Sequence, residues 1–548
     1  MFVRVKKMKN LSYLQIVESR REGAKVRQHV FATLGRQDLL SDSGKLDDLA
    51  RSLLKFTPKV RVIDAHRAGT TQVLRTLSIG PALVFDRLWK ELGLGQLIEE
   101  SCTGDRHQFS LERAIFLTVM HRLFESGSDR AAESWKEDFL IEGVRELDLQ
   151  HLYRAMGWLG EELPSQDNSP EEGLPPRCRK DLLEERLFER NRDLFSAMDL
   201  VFFDTSSLYF EGEGGESLGQ YGHSKDHRGD ERQMIVGVVV DGLGRPICCQ
   251  MWPGNVTDVT TLVPMVNRLR RRFSIGSVCV VADRGMISAE TIRELEAQYL
   301  SYILGVRMRR VKEVRTEVLQ RKGRWEVVHP ERERSKDPSP LKVREQWVGQ
   351  KRYVVCYNAE QARKDAHDRQ AILASLSQKL KGGGVSLVGN KGYRRYVSAA
   401  GPGFVIDEQK VSGDALFDGT WVLETNTDLP ASEVALKYKQ LLMVEMIFRS
   451  MKSALETRPI YHKCDDTIRG HVFCSFLALV LMKELQSRLE DRRRYPEWEQ
   501  IKRDLRALQE VEVKSEGSRW YLRTELRGVC HQVLQAAGVA VPPSVRGA

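Results

Sequence analysis

The sequence predicts an α/β protein: a mixed-sheet core carrying a β-rich inserted subdomain, preceded by a small N-terminal β-sheet and a helical N-terminal region. Three observations predict it. Two apolar runs end in a carboxylate, Leu200-Val201-Phe202-Phe203-Asp204 and Ser277-Val278-Cys279-Val280-Val281-Ala282-Asp283, and read as buried strands. Around them the order is strand, strand, strand, helix, strand, helix, strand, and three antiparallel strands followed by crossover helices make a mixed sheet. From 307 to 420 this pattern gives way to charged, β-prone segments, and it resumes at Thr420-Trp421-Val422-Leu423-Glu424-Thr425.

A chain of 548 residues is too long for one core and divides into about three or four domains. With 41% hydrophobic and 29% charged residues it is neither disordered nor membrane-embedded. Met1-Phe2-Val3-Arg4-Val5-Lys6-Lys7 lacks the apolar core of a signal peptide, and no run of about 18 uncharged apolar residues occurs, so a cytoplasmic protein without a membrane partner is expected. The nine Cys are scattered and odd in number, which argues for reduced thiols and against a structural zinc site. A net charge of +9 and a pI near 9.0 favour a polyanionic partner.

Taken in order, residues 1–40 alternate in three strand-like runs between Phe2 and Arg36, a small antiparallel sheet whose polar positions are mostly Lys and Arg. Such a face meets either DNA phosphates or only water. Residues 41–195 are mainly helical. Pro81 to Gly93 has a helix opening and a Gly stop, Leu111 to Phe124 is amphipathic, and 163–176, rich in Pro, Glu, Gly and Ser, reads as a linker. The helix-turn-helix spacing suits either a DNA-reading module or a packed bundle. Residues 196–306 form the first part of the core, with Asp241-Gly242-Leu243-Gly244 as a hairpin turn. The β-rich insertion spans 307–420, the second part of the core 421–490, and a C-terminal helical segment 491–548.

The stretch Tyr438 to Lys452 has no Gly or Pro and follows the breaker pair Leu429-Pro430, so it reads as one helix. Positions seven apart lie about 20° from one another, which puts Tyr438, Glu445 and Lys452 in one line. Glu445 then sits among apolar residues, either ion-paired with Arg449 or Lys452 or kept for chemistry. Asp204 and Asp283 are 79 residues apart. On neighbouring strands two such acids repel unless cations lie between them, and hard divalent cations prefer oxygen ligands. The plain alternative is a pair of strand-end caps.

Asp204-Thr205-Ser206-Ser207-Leu208-Tyr209-Phe210, Asp283-Arg284-Gly285 and the Tyr438 to Lys452 stretch together resemble the three motifs of DDE transposases of bacterial insertion sequences. The resemblance is to the insertion-sequence-four-like group, whose ribonuclease-H-like core carries a β-rich insertion before the last acid. That group has Tyr, Arg, Glu and Lys separated by two, three and six residues. This chain matches at Tyr438, Glu445 and Lys452, has Leu441 in the Arg position, and offers Arg449 as a substitute. Tyr221 to Arg228, Gly254 to Asp258 and Phe2 to Arg36 also resemble segments of these enzymes.

The resemblance implies that Asp204, Asp283 and Glu445 are catalytic and hold two Mg²⁺ ions, with Mn²⁺ able to substitute. It implies DNA contacts at Tyr438, Lys452, Arg449 and Arg284 and in the basic loop Lys225, His227 and Arg228, a loop that could equally be solvated. The implied partners are the terminal inverted repeats of the element, target DNA, and a second copy of the chain in a synaptic complex associated with the nucleoid. Two alternatives remain: a nuclease with the same core that joins no strands, and a non-catalytic DNA-binding protein derived from a transposase.

Overall fold

The computed structural model of the chain describes every residue except 10, 23–24, 55–56, 58–68, 70, 103–106, 165–173, 192–199, 223–227, 274–277, 335–336, 382–392, 394, 401–402, 516–517 and 548. Most of the expected linker 163–176 therefore lies outside the described residues, as do Lys225 and His227. Apolar-polar alternation gives β1 (Phe2–Met8), β2 (Leu11–Glu22) and β3 (Lys25–Arg36), an antiparallel sheet of order β1-β2-β3. β1 pairs with β2 only over Leu11–Val17, so from Glu18 onward β2 and β3 continue as a two-stranded ribbon.

A strand, β4 (Gln72–Ser78), precedes a group of packed helices that includes Gly80–Glu91, Leu111–Phe124 and Leu149–Gly160. Pro81 in the first turn and the Ser110 hydroxyl, accepting from the Arg113 amide at 3.2 Å, start the first two of these helices. Helix Asp465–Asp491 crosses Leu149–Gly160 at backbone contact, because a Cβ at Gly160 would overlap the Asp466 carbonyl and one at Gly470 the Met156 carbonyl. The helical region thus shares one continuous apolar core with one face of the central sheet.

That sheet starts with β5 (Leu200–Tyr209), β6 (Gln233–Val240) and β7 (Pro246–Pro253), an antiparallel meander. Crossover helices Asp258–Phe273 and Ala289–Ala297 deliver β8 (Cys279–Ala282) parallel to β5 and β9 (Ser301–Gly305) parallel to β8. The strands of 307–420 are β10 (Glu326–His329), β11 (Leu341–Val348), β12 (Lys351–Tyr357), β13 (Val397–Ala400) and β14 (Gly403–Ile406). Although inserted in sequence, β10 to β12 join the core: β12 takes the edge of β15 (Thr420–Thr425), giving the order β10-β11-β12-β15-β9-β8-β5-β6-β7. An edge strand exposes unpaired backbone groups, and β12 satisfies those of β15.

The C-terminal segment 491–548 was expected to be helical and is mixed. It contains β16 (Gln509–Ser515), β17 (Ser518–Arg523) and β18 (Val545–Gly547), and β16 pairs with β4 in a sheet of order β18-β17-β16-β4. Val511 and Val513 alternate with glutamates, a strand pattern that the surrounding charge obscured.

The far edge, β7, is covered by helix Arg179–Arg190 in an unusual way. Glu184 Oε1 accepts from the Cys249 amide at 2.9 Å, and Lys180 Nζ donates to the Cys249 carbonyl at 2.8 Å. Arg272 completes the buried cluster, 3.1 Å from Asp181 and 2.8 Å from Glu184. Burial pushes the Asp181 carboxyl up, but Lys180 and Arg272 more than reverse this and hold it below its usual range. Charged side chains here replace the next strand of the sheet.

Candidate active site

Asp204 lies within β5 rather than at its tip, since the strand runs on to Tyr209. The β5–β8 register pairs Leu200 with Cys279, Val201 with Val280 and Phe202 with Val281, an offset of 79 residues. That is also the separation of Asp204 and Asp283, so the two acids occupy matching positions on adjacent parallel strands. β8 pairs Val281 with Ile303 and Ala282 with Leu304, which puts Gly305 at the matching position on β9. With side chains alternating along each strand, Asp204, Asp283 and Gly305 share the face of Phe202, Val281 and Ile303, the face of the large core. Asp204 is half-buried and accepts the Thr205 amide at 2.7 Å, while Asp283 is exposed where β8 has ended.

The single helix expected over Tyr438 to Lys452 is three pieces. Helix Ala431–Lys439 stops, helix Leu441–Arg449 begins after Gln440, and Ser450–Ala454 is a π-helical turn. At the joint the Gln440 amide bonds to the Lys437 carbonyl at 3.1 Å and the Met443 amide to the Gln440 carbonyl at 2.9 Å, a tighter winding than the α-helix. The sheet beneath explains the break. Helix Ala431–Lys439 packs over β8, β9, β11 and β12, whereas Leu441–Arg449 packs over β5 and β6, and a twisted sheet turns away from a straight rod. Tyr438, Glu445 and Lys452 therefore do not form one helical line.

The break delivers them to different strands. Tyr438 reaches the β8–β9 side, where its hydroxyl donates to Asp283 Oδ1 at 2.8 Å. Burial, and then the Asp283 charge, push its phenol well above the ordinary value, so it stays a neutral donor. Gly305 makes this possible, because a Cβ there would overlap the Tyr438 hydroxyl. Glu445 stands exposed on the helix that covers the strand of Asp204, and among the described residues it holds no ion pair with Arg449 or Lys452. Leu441 is buried in the core, where an Arg would carry an uncompensated charge.

The cationic candidates are less tightly gathered. Arg284 and Arg449 are exposed, Lys452 is half-buried in the π turn, and Arg228 is ion-paired with Glu231 at 2.9 Å. Sequence reasoning missed Arg307, whose guanidinium donates to the Arg284 carbonyl at 2.8 Å and to the Gly285 carbonyl at 2.9 Å, bracing the turn that carries Asp283. It also missed Gly305; a Gly closing the third parallel strand was the available signal.

A second acid-and-histidine group, Asp129, His462 and His471, lies between the helical region and helix Asp465–Asp491. Arg122 Nη2 is 3.3 Å from Asp129 and 3.0 Å from His471 Nδ1, while His462 Nε2 is 3.1 Å from Asp129. A buried guanidinium among these atoms occupies the place of a cation, so this group is an internal ion-pair network. Burial, then Arg122, hold His471 well below the usual histidine range.

By contrast, half-buried Asp204 and exposed Asp283 on neighbouring strands, with exposed Glu445 on the covering helix, offer only oxygen atoms, the ligand type of a hard divalent cation, although the three are not all gathered within 4.8 Å of one another. Acids so placed on a mixed α/β sheet are compatible with metal-dependent phosphoryl transfer. Residues 196–481, just over half of the chain, match the transposase DDE domain, and residues 3–65 match the N-terminal domain of IS1634 family transposases. The chain belongs to the DDE transposases of bacterial insertion sequences and is an enzyme of DNA transposition. No curated protein matches it. Among solved structures, the cryo-EM synaptic complex of piggyBac transposase with hairpin DNA aligns at 12% identity and a TM-score of 0.34, over 78% of each chain. Among the described residues no helix is long and apolar enough to cross a membrane.

Proposed function

We propose that Asp204, Asp283 and Glu445 are the catalytic acids with which this transposase cuts DNA at the terminal inverted repeats of its element and joins the freed ends to a target. The observation that carries this reading is the coincidence of the β5–β8 pairing offset with the separation of the two aspartates, both 79 residues. The strand order β7-β6-β5-β8-β9, with β6 alone antiparallel to the other four, supports a ribonuclease-H-like core built from 196–306 and 421–490, with 307–420 as its insertion. Residues 1–40 and 41–195 then hold the element ends, and two copies of the chain bring two ends together in the cytoplasm.

Asp204, Asp283 and Glu445 are the groups that would hold two Mg²⁺ ions, or Mn²⁺ in their place. Bound there, the ions would acidify the attacking hydroxyl group and neutralise charge on the leaving oxygen. Tyr438 fixes the orientation of Asp283 through its 2.8 Å hydrogen bond. Arg284, Arg449, Lys452 and Arg228, together with Lys225 and His227, hold the phosphates of the DNA in register. Water adds to phosphorus at the element end and the 3′-oxygen leaves. That 3′-hydroxyl then adds to a target phosphorus and displaces the target 3′-oxygen.

The test is Asp283→Asn on labelled element ends with Mg²⁺. Loss of cleavage with retained end binding is expected, and undiminished cleavage overturns the assignment. Pre-cleaved ends and a supercoiled target plasmid separate strand joining from hydrolysis alone.

A further inference from the structure

Residues 1–36 contain nine Lys and Arg against two Glu, a net of +7 where the whole chain carries +9. The charge that marks this protein as basic is therefore concentrated in the β1-β2-β3 sheet, and part of it on the ribbon that outruns β1. Five cross-strand pairs make up that ribbon, from Glu18 opposite His29 to Glu22 opposite Lys25. At about 3.4 Å per residue it extends roughly 17 Å, longer than the ~12 Å width of a DNA major groove, which admits a two-stranded ribbon.

Its two faces differ. On one, Arg20 stands directly opposite Arg27, both exposed, with Glu18 2.9 Å from Arg20. The pairing sets two cationic side chains next to one another on one face, a spacing that suits flanking phosphates. On the other face Ser19 is opposite Gln28 and Arg21 opposite Val26, all exposed. That set offers an Arg for guanine and a methyl surface for thymine, and the Gln28 amide, whose oxygen accepts from Arg4 Nη1 at 2.8 Å, keeps its NH₂ to donate to a base acceptor. Charge alone would suit any polyanion; a base-matching face on a ribbon of groove length suits duplex DNA.

We infer that the β2–β3 ribbon enters the major groove of the element end, with Arg21, Val26 and Gln28 towards the base edges and Arg20 and Arg27 towards the flanking phosphates. The inference rests on the reading of the chain as an end-binding transposase and adds the element that reads the end.

The experiment uses the full chain and a duplex of about 30 base pairs that the wild-type chain has itself enriched from a random pool. Replacing Arg20, Arg21 and Arg27 together by Ala is expected to weaken binding at least tenfold and to reduce the slope of log Kd against log salt by about 2 to 3. Replacing the same three by Lys is expected to keep the slope and lose the preference for the enriched duplex over a scrambled one, because Lys lacks the fork that pairs with guanine. Binding within twofold of wild type in the Ala variant, or an undiminished preference in the Lys variant, overturns the ribbon assignment. A wild-type chain that enriches no duplex and cuts no DNA with Mg²⁺ instead overturns the end-binding reading beneath it.

Discussion

Asp181 and Asp283 both sit beside strands of the same sheet, and the chain treats them oppositely. Asp181 is fully buried, with Lys180 at 2.9 Å and Arg272 at 3.1 Å, so its countercharge is internal and permanent. Asp283 is exposed, and the contact made to its carboxylate is a neutral phenol. An acid whose charge is balanced by the chain stabilises a joint; an exposed acid held by a neutral donor keeps its charge available to a cation from outside. The comparison separates structure from chemistry more sharply than residue type or motif does.

Exchanging the two acids' fates is the strongest way to break the comparison. Asp283→Asn should abolish cleavage in a gel assay while changing unfolding free energy by no more than about 0.5 kcal/mol, because the site is exposed. Asp181→Ala leaves the buried Lys180 and Arg272 to share Glu184, 3.6 and 2.8 Å away, with one countercharge too few, and should cost about 3–5 kcal/mol in denaturant unfolding, with cleavage per folded molecule retained. A catalytic loss from Asp181→Ala at full stability would erase the distinction.

Acid sharpens it next. His121 is lowered to about 4 by burial and then by Arg122, and His471 lies well below its usual range. Both are neutral in the fold and charge in the unfolded chain below about pH 6.5, so stability is full above that pH and falls as pH drops through it. Between pH 7.5 and 5 the two should remove about 4 kcal/mol. Asp129, held low by His462 and Arg122 against burial, adds a loss only below its unfolded value near 4. Unfolding free energies measured across this range check the sign.

The smallest effects concern the phenol. Tyr438→Phe should raise the Mg²⁺ concentration for half-maximal cleavage about tenfold while leaving DNA affinity unchanged. Weaker DNA binding at an unchanged metal requirement would instead make Tyr438 a DNA contact. Gly305→Ala, which drives a methyl group into the Tyr438 hydroxyl, should reproduce the metal defect with about 1–3 kcal/mol of destabilisation.

Much of the core was legible because buried strands advertise themselves. The runs before Asp204 and Asp283 predicted β5 and β8, and the hairpin turn Asp241-Gly242-Leu243-Gly244 predicted the β6–β7 link. What escaped depended on long-range packing. No local residue marks Gln440 as a break, since the twist of a sheet assembled from distant segments imposes it. Asp129 and His462 come from opposite ends of the chain, and the pairing of β4 with β16 joins residues more than 400 positions apart. Nothing local in helix Arg179–Arg190 marks its service to β7, because the strand that its side chains serve follows it in the sequence.

That order has a consequence for biosynthesis. The helix that guards the β7 edge ends at Arg190, and β7 itself begins at Pro246. At roughly 5–20 residues per second, the guard leaves the ribosome several seconds before the edge it covers. Each newly made β7 can therefore meet its own Lys180 and Glu184 before it meets a strand of a neighbouring nascent chain on the same polysome.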